Sequence, residues 1–143
     1  MPLLPGAREA VERLAARWPL GLASSSNRPV IDLVLELAGL EALFRATVSS
    51  EEVGRGKPAP DVYLETAARL GVDPTRCAAI EDSRNGIRSA HSAGMCMVAI
   101  PNRVFPPPDE ALALADAVID SLDELSPELV VSACERASSR HGR

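Results

Sequence analysis

The chain has 143 residues, of which 46% are hydrophobic and 24% charged, with a formal net charge of −5 and a pI near 5.0. That length allows one domain with one sizeable core, and the balance is that of a globular protein rather than a disordered one. No basic block exists to neutralise a phosphate backbone or an anionic lipid surface, which excludes nucleic acid and membrane as main partners, and no apolar run approaches membrane-spanning length.

At the N-terminus, Met1-Pro2-Leu3-Leu4-Pro5-Gly6 leads directly into Arg8 and Glu9 without a signal-peptide pattern, so a cytoplasmic protein is expected. Between Gly6 and Trp18, Ala7, Val11, Leu14, Ala15 and Trp18 share one face, a helical period. Pro19 to Ala23 is a short apolar run bounded by proline and serine, and reads as a buried strand. A second helix is predicted from Pro29 to a C-cap at Gly39. Ala46 to Ser49 reads as the next strand, and a helix from about Pro60 to Leu70 is stopped by Gly71. The turn Asp73-Pro74-Thr75-Arg76 feeds a strand from Cys77 to Ile80, a helix from Gly86 to Ala93, and a strand from Met95 to Ile100. Pro106-Pro107-Pro108 is a stiff connector to Ala111–Ala115, the strand-like Val118-Ile119 and a final helix after Ser126-Pro127. Residues 1–137 are thus read as one domain and 138–143 as a flexible tail. Cys77, Cys96 and Cys134 are odd in number and lack metal-ligand spacing; they are expected to be reduced and mostly structural.

Continuous apolar strands that alternate with helices indicate a doubly wound parallel α/β sheet covered on both faces. Ligand sites in such sheets lie beyond the carboxyl ends of the strands, here Ser24-Ser25-Ser26-Asn27, the loop around Lys57, and Glu81-Asp82-Ser83. Fourteen of the fifteen basic residues are arginine, and Lys57 is the only lysine. A compact ammonium on a flexible stem suits contact with one phosphate or carboxylate oxygen from a tight loop, where a guanidinium fork is too broad. The alternative is an ordinary surface lysine. Glu81-Asp82 offers hard oxygen donors, of which Mg²⁺ typically takes one or two while keeping waters and phosphate. Asp82 could equally cap the following helix, a role that leaves Glu81 unexplained. Ser24, at a strand-to-helix turn, presents a hydroxyl and nearby amides to an oxyanion; the alternative is that Ser24 to Asn27 cap the following helix, and Ser25 and Ser26 are better explained that way. Asn85-Gly86 reads as turn chemistry and His91 as solvent-facing.

In this order, the segments resemble the haloacid dehalogenase superfamily, in the branch with β-phosphoglucomutase and phosphoglycolate phosphatase. Leu4-Pro5-Gly6 with Gly21-Leu22-Ala23-Ser24-Ser25-Ser26 is similar to that family's second motif, Gly56-Lys57-Pro58-Ala59-Pro60-Asp61 to its third, and Ile80-Glu81-Asp82-Ser83-Arg84-Asn85-Gly86-Ile87 to its fourth. The resemblance implies a Rossmann-like core, phosphate contacts from Ser24, Ser25 and Lys57, with Lys57 also catalytic, and Mg²⁺ held by Glu81 and Asp82. A small phosphorylated metabolite is the implied substrate.

The family's first motif, a strand ending in Asp-x-Asp-Gly that carries the nucleophile, has no match here, and the sequence begins where the family's inserted cap normally ends. A truncated product, a misplaced start or one half of a split protein would each give this pattern. The expectation is the C-terminal part of a phosphatase or phosphomutase core, inactive alone, with an empty strand position between the strands bearing Ser24 and Glu81-Asp82. Either those strands close up or another segment fills the position, through a complementing N-terminal segment or self-association. A second expectation is a non-catalytic phosphate-binding or interaction module that recruits a partner strand.

Overall fold

The computed structural model describes residues 6–140. Helix α1 (Ala7–Ala15) leads to strand β1 (Gly21–Ser24), helix α2 (Arg28–Ala38), strand β2 (Ala46–Ser49) and helix α3 (Asp61–Leu70). Strand β3 (Ala78–Glu81), helix α4 (Arg84–Ser92), strand β4 (Cys96–Ala99), the short helix α5 (Asp109–Leu112), strand β5 (Ala117–Val118) and helix α6 (Pro127–Arg140) follow. Both α2 and α3 end where expected, at Gly39 and Gly71, whose φ values of 68° and 74° lie in the left-handed region that glycine adopts without strain. α1 stops three residues short of Trp18, and α6 runs to Arg140, into the segment read as a tail. Residues 141–143, and the Leu4-Pro5 part of the second motif, lie outside the described residues.

All strand pairs are parallel. β1 pairs with β2 from Gly21↔Ala46 to Ser24↔Ser49, β3 with β4 from Ala78↔Cys96 to Glu81↔Ala99, and β4 with β5 at Val98↔Ala117 and Ala99↔Val118. The period of two sends alternate β4 residues to opposite cores. Met97 and Ala99 pack with α3 and α4 residues such as Val62 and Ile87, whereas Cys96 and Val98 pack with Leu14 of α1 and Val130 of α6. The sheet is therefore wound on both faces, as the apolar strands predict. A third, smaller cluster of Ile31, Leu35 and Leu40 seats α2 beside Val11 and Leu22.

The strands form two sheets, β1-β2 and β3-β4-β5. Between β1 and β3 lies a cavity of about 910 Å³, lined by Leu22 and Ala23 from one side, Ala79 and Ile80 from the other, and closed by residues of α1, α3 and α6. Among the described residues, β1 and β3 have neither closed on each other nor been joined by another segment. β1 is consequently only half-buried along its whole length.

The cysteine expectation needs correction. Cys96 and Cys134 form a disulfide with Cα atoms 5.2 Å apart, and Cys77 alone is free. The sequence separation of 38 hides the bond from a reading by spacing, because only the packing of α6 on β4 brings the paired cysteines together. No helix among the described residues is long and apolar enough to cross a membrane.

Candidate functional site

Lys57 lies in the loop before α3, followed by a cis Lys57–Pro58 peptide bond. Its stem turns inward, so that the side chain is 11% exposed and its Nζ donates to Glu81 Oε2 at 2.6 Å and to the Ala23 carbonyl at 3.2 Å. This ammonium thus joins the carboxyl ends of β1 and β3 across the gap. It is no ordinary surface lysine.

Glu81 closes β3 with a side chain only 8% exposed. A carboxylate so enclosed persists as a charge only when paired and hydrogen-bonded. Lys57 supplies the pair, and Tyr63, from the buried stripe Val62, Tyr63, Thr66 and Ala67 of α3, donates its hydroxyl to the same Oε2. Burial, then the charge of Glu81, pushes the Tyr63 phenol well above its ordinary value, so it remains a protonated donor. The Tyr63 ring also lies 5.3 Å from Nζ, within cation–π range. Gly86, expected as turn chemistry, instead sits inside α4 against the Glu81 carboxylate, and any β-carbon there would collide with it.

Asp82 does not cap α4. Ser83 does, its hydroxyl accepting from the Gly86 amide at 3.1 Å. Asp82 Oδ2 instead accepts from Asn102 Nδ2 at 3.2 Å, and its carbonyl from the Asn102 amide at 3.1 Å. Asn102 Oδ1 in turn accepts the Val104 and Phe105 amides, each at 2.9 Å, which anchors the loop after β4 to the acidic pair.

At the end of β1, Ser24 Oγ accepts from the Ser26 amide at 3.0 Å, and the exposed Ser25 accepts the Ser50 hydroxyl at its carbonyl, at 3.2 Å. Asn27 is the α2 cap, accepting from the Val30 amide at 3.0 Å. Of the capping candidates from Ser24 to Asn27, the cap is thus Asn27 and neither Ser25 nor Ser26. Among the described residues no hydrogen bond links the Ser24 or Ser25 side chain to Lys57, Glu81 or Asp82; what reaches Lys57 from this strand is the Ala23 carbonyl. His91 is exposed, as expected.

Among the described residues no group of three or more His, Cys, Asp or Glu could cage a metal ion. Two adjacent carboxylates at a strand end still fit the donor habit of Mg²⁺, which completes its shell with water and phosphate. Tyr63 and Asn102 were not singled out in the sequence. Tyr63 carried a signal, as the sole tyrosine on the apolar stripe that follows the Lys57 loop, and Asn102 stands just beyond a strand end.

A family model described as haloacid dehalogenase-like hydrolase matches residues 1–94. Hexitol phosphatase B of Escherichia coli (strain K12) is 42% identical over 126 residues, which cover 87% of this chain and 56% of that protein. The bifunctional riboflavin kinase/FMN phosphatase of Arabidopsis thaliana is 38% identical over 127 residues, 87% of this chain and 33% of that protein. In structure, β-phosphoglucomutase of Clostridium difficile superposes with a TM-score of 0.78 at 28% identity, covering 99% of this chain and 59% of that one. CbbY of Rhodobacter sphaeroides, solved with xylulose-(1,5)-bisphosphate, superposes with a TM-score of 0.76 at 30% identity, covering 86% and 56%. The chain therefore spans a little over half the length of three of these four relatives. With its second, third and fourth motifs at or after the carboxyl ends of the parallel strands β1, β2 and β3, and with a family match over most of its length, the chain belongs to the haloacid dehalogenase-like hydrolases, in the branch of β-phosphoglucomutase.

Proposed function

We propose that this chain supplies the phosphate- and Mg²⁺-binding part of a phosphatase or phosphomutase core acting on a small phosphorylated metabolite, and that it turns nothing over alone. One observation carries the reading: the only lysine is drawn inward to the carboxyl ends of β1 and β3, beside the acidic pair. Lys57 and the end of β1 at Ser24 and Ser25 receive the phosphoryl group, and Glu81 and Asp82 hold Mg²⁺. When bound, that cation offsets phosphate charge. Glu81 keeps the ammonium aimed, while Asp82, steadied by Asn102, presents its second oxygen. Covalent transfer still needs a nucleophile and an acid/base group, which no motif of this sequence provides.

The cavity between β1 and β3 supports a further element of the reading: these two parallel edges receive a strand, supplied by a complementing segment or by a partner. An apolar strand ending in Asp-x-Asp-Gly, fused ahead of Gly6 or added as a separate chain, is the test. Phosphatase activity toward an aryl phosphate is expected to appear only with that strand and Mg²⁺, and to be lost in Lys57→Ala. Activity of the rigorously purified chain without the strand, abolished by Lys57→Ala, would overturn the claim of inactivity. A complemented, folded protein without Lys57-dependent activity would favour a non-catalytic module.

A further inference from the structure

We propose that Tyr63 is a positioning residue for Lys57: acting through Glu81, it fixes the ammonium so that one of its three protons stays free for a phosphoryl oxygen. The inference rests on the phosphate-binding reading above. A lysine ammonium has three donors. Two are assigned here, one to Glu81 Oε2 at 2.6 Å and one to the Ala23 carbonyl at 3.2 Å. Those two bonds set the direction of the third, provided their acceptors stay in place. Ala23 is backbone in a paired strand and does so. Glu81 is a flexible side chain whose ordering costs entropy, and Lys57 is another, so neither can anchor the other.

The rigid member is Tyr63. Its ring is buried at 8% exposure on α3, its hydroxyl donates to the oxygen that Lys57 uses, and its face lies 5.3 Å from the ammonium. The absent side chain of Gly86 leaves the space that the Glu81 carboxylate occupies. A phenylalanine would fill nearly the same volume and remove only the donor. The function of the hydroxyl can therefore be separated from the packing of the ring.

The sequence offers a direct readout, because Lys57 is its only lysine and Tyr63 its only tyrosine. Lysine labelled with ¹³C and ¹⁵N gives one set of side-chain NMR signals, which can be followed while the chain is titrated with inorganic phosphate. In the unmodified chain these signals should move saturably. Tyr63→Phe should shift them toward those of a freely rotating lysine and weaken phosphate binding about threefold to tenfold, part of the worth of a hydrogen bond to a charged group. In a Glu81→Ala background, which removes the acceptor that Tyr63 and Lys57 share, the same substitution should change neither quantity. Should Tyr63→Phe fold poorly, 3-fluorotyrosine in the otherwise unaltered chain gives a single ¹⁹F signal, which should move with phosphate and cease to do so in Glu81→Ala.

A folded Tyr63→Phe chain with unchanged Lys57 signals and affinity overturns the inference. So does an equal loss with and without Glu81, which would mean that Tyr63 acts by packing alone, or a ¹⁹F signal indifferent to phosphate while Lys57 responds. Lys57 signals indifferent to phosphate in the unmodified chain overturn the phosphate reading itself.

Discussion

β1 and β4 are both four-residue parallel strands of apolar composition, Gly21-Leu22-Ala23-Ser24 and Cys96-Met97-Val98-Ala99, yet β4 is buried at every position and β1 at none. The difference lies in the neighbours. β4 has β3 on one side and β5 on the other, α4 on one face and α6 on the opposite face, and the Cys96–Cys134 disulfide fastens α6 to it. β1 has β2 on one side and the cavity on the other. Its half of the sheet is held at the outer edge by polar contacts: Glu52 accepts from Arg28 at 2.6 Å and Arg69 at 2.9 Å, joining α2 and α3, while Arg28 also donates to the Thr47 carbonyl at 2.7 Å on β2. Exposed ion pairs of this kind contribute little individually, so the two halves differ in what stabilises them. One is held by a core closed on both faces, the other by a core open along one strand edge.

Filling the gap is the strongest way to remove that contrast. An apolar parallel strand added between β1 and β3 should raise the unfolding temperature by about 10 °C or more, since each kcal/mol gained moves a domain of this size by several degrees. Without it, the chain should self-associate, because two open edges and an apolar cavity stand against a net charge of only −5. Light scattering and thermal melts check both expectations. A monodisperse monomer with cooperative, high-temperature unfolding, unaffected by the added strand, would show that the open half is self-sufficient.

Truncations sharpen the comparison at an intermediate scale. Met97→Ala, at a fully buried β4 position, should cost about 2–5 kcal/mol in denaturant unfolding. Leu22→Ala, on half-buried β1, should cost about 1 kcal/mol, since much of its surface is already open to the cavity. Equal costs would mean that β1 is as enclosed as β4.

The smallest effect concerns the polar edge. The Arg28 guanidinium, followed by the Ser49 amide and Arg69, holds the Glu52 carboxyl below its ordinary 4.5, at about 2. A depressed folded value gives stability that is present above the unfolded value and lost as pH falls through the folded one. Thermal stability should therefore decline between about pH 4.5 and pH 2 more steeply in the unaltered chain than in Glu52→Gln. Parallel profiles would remove Glu52 from the account of this half.

The position of the candidate site in the fold was legible because its residues are local in sequence. The solitary Lys57, the adjacent Glu81-Asp82 and the serines from Ser24 onward each lie at or after a strand end, where an α/β sheet puts its ligands. Their partners were less legible. Tyr63 reaches Glu81 from 18 residues away and Asn102 reaches Asp82 from 20, and neither spacing is a motif. A helix cap was the alternative to metal binding for Asp82, since aspartate caps well, but Ser83 one residue later is the cap, with an extended backbone and its hydroxyl on the Gly86 amide.

By itself, the sequence determined the order of strands and helices, the parallel sheet and the strand ends at which the candidate site residues stand, because periodicity, glycine stops and adjacent polar residues act over a few positions of chain. Only the tertiary structure decided that Cys96 meets Cys134, that Lys57 turns inward to bridge β1 and β3, and that a cavity separates those strands. Each of these depends on which elements become neighbours in space, and packing between distant segments leaves no local pattern in the chain to read.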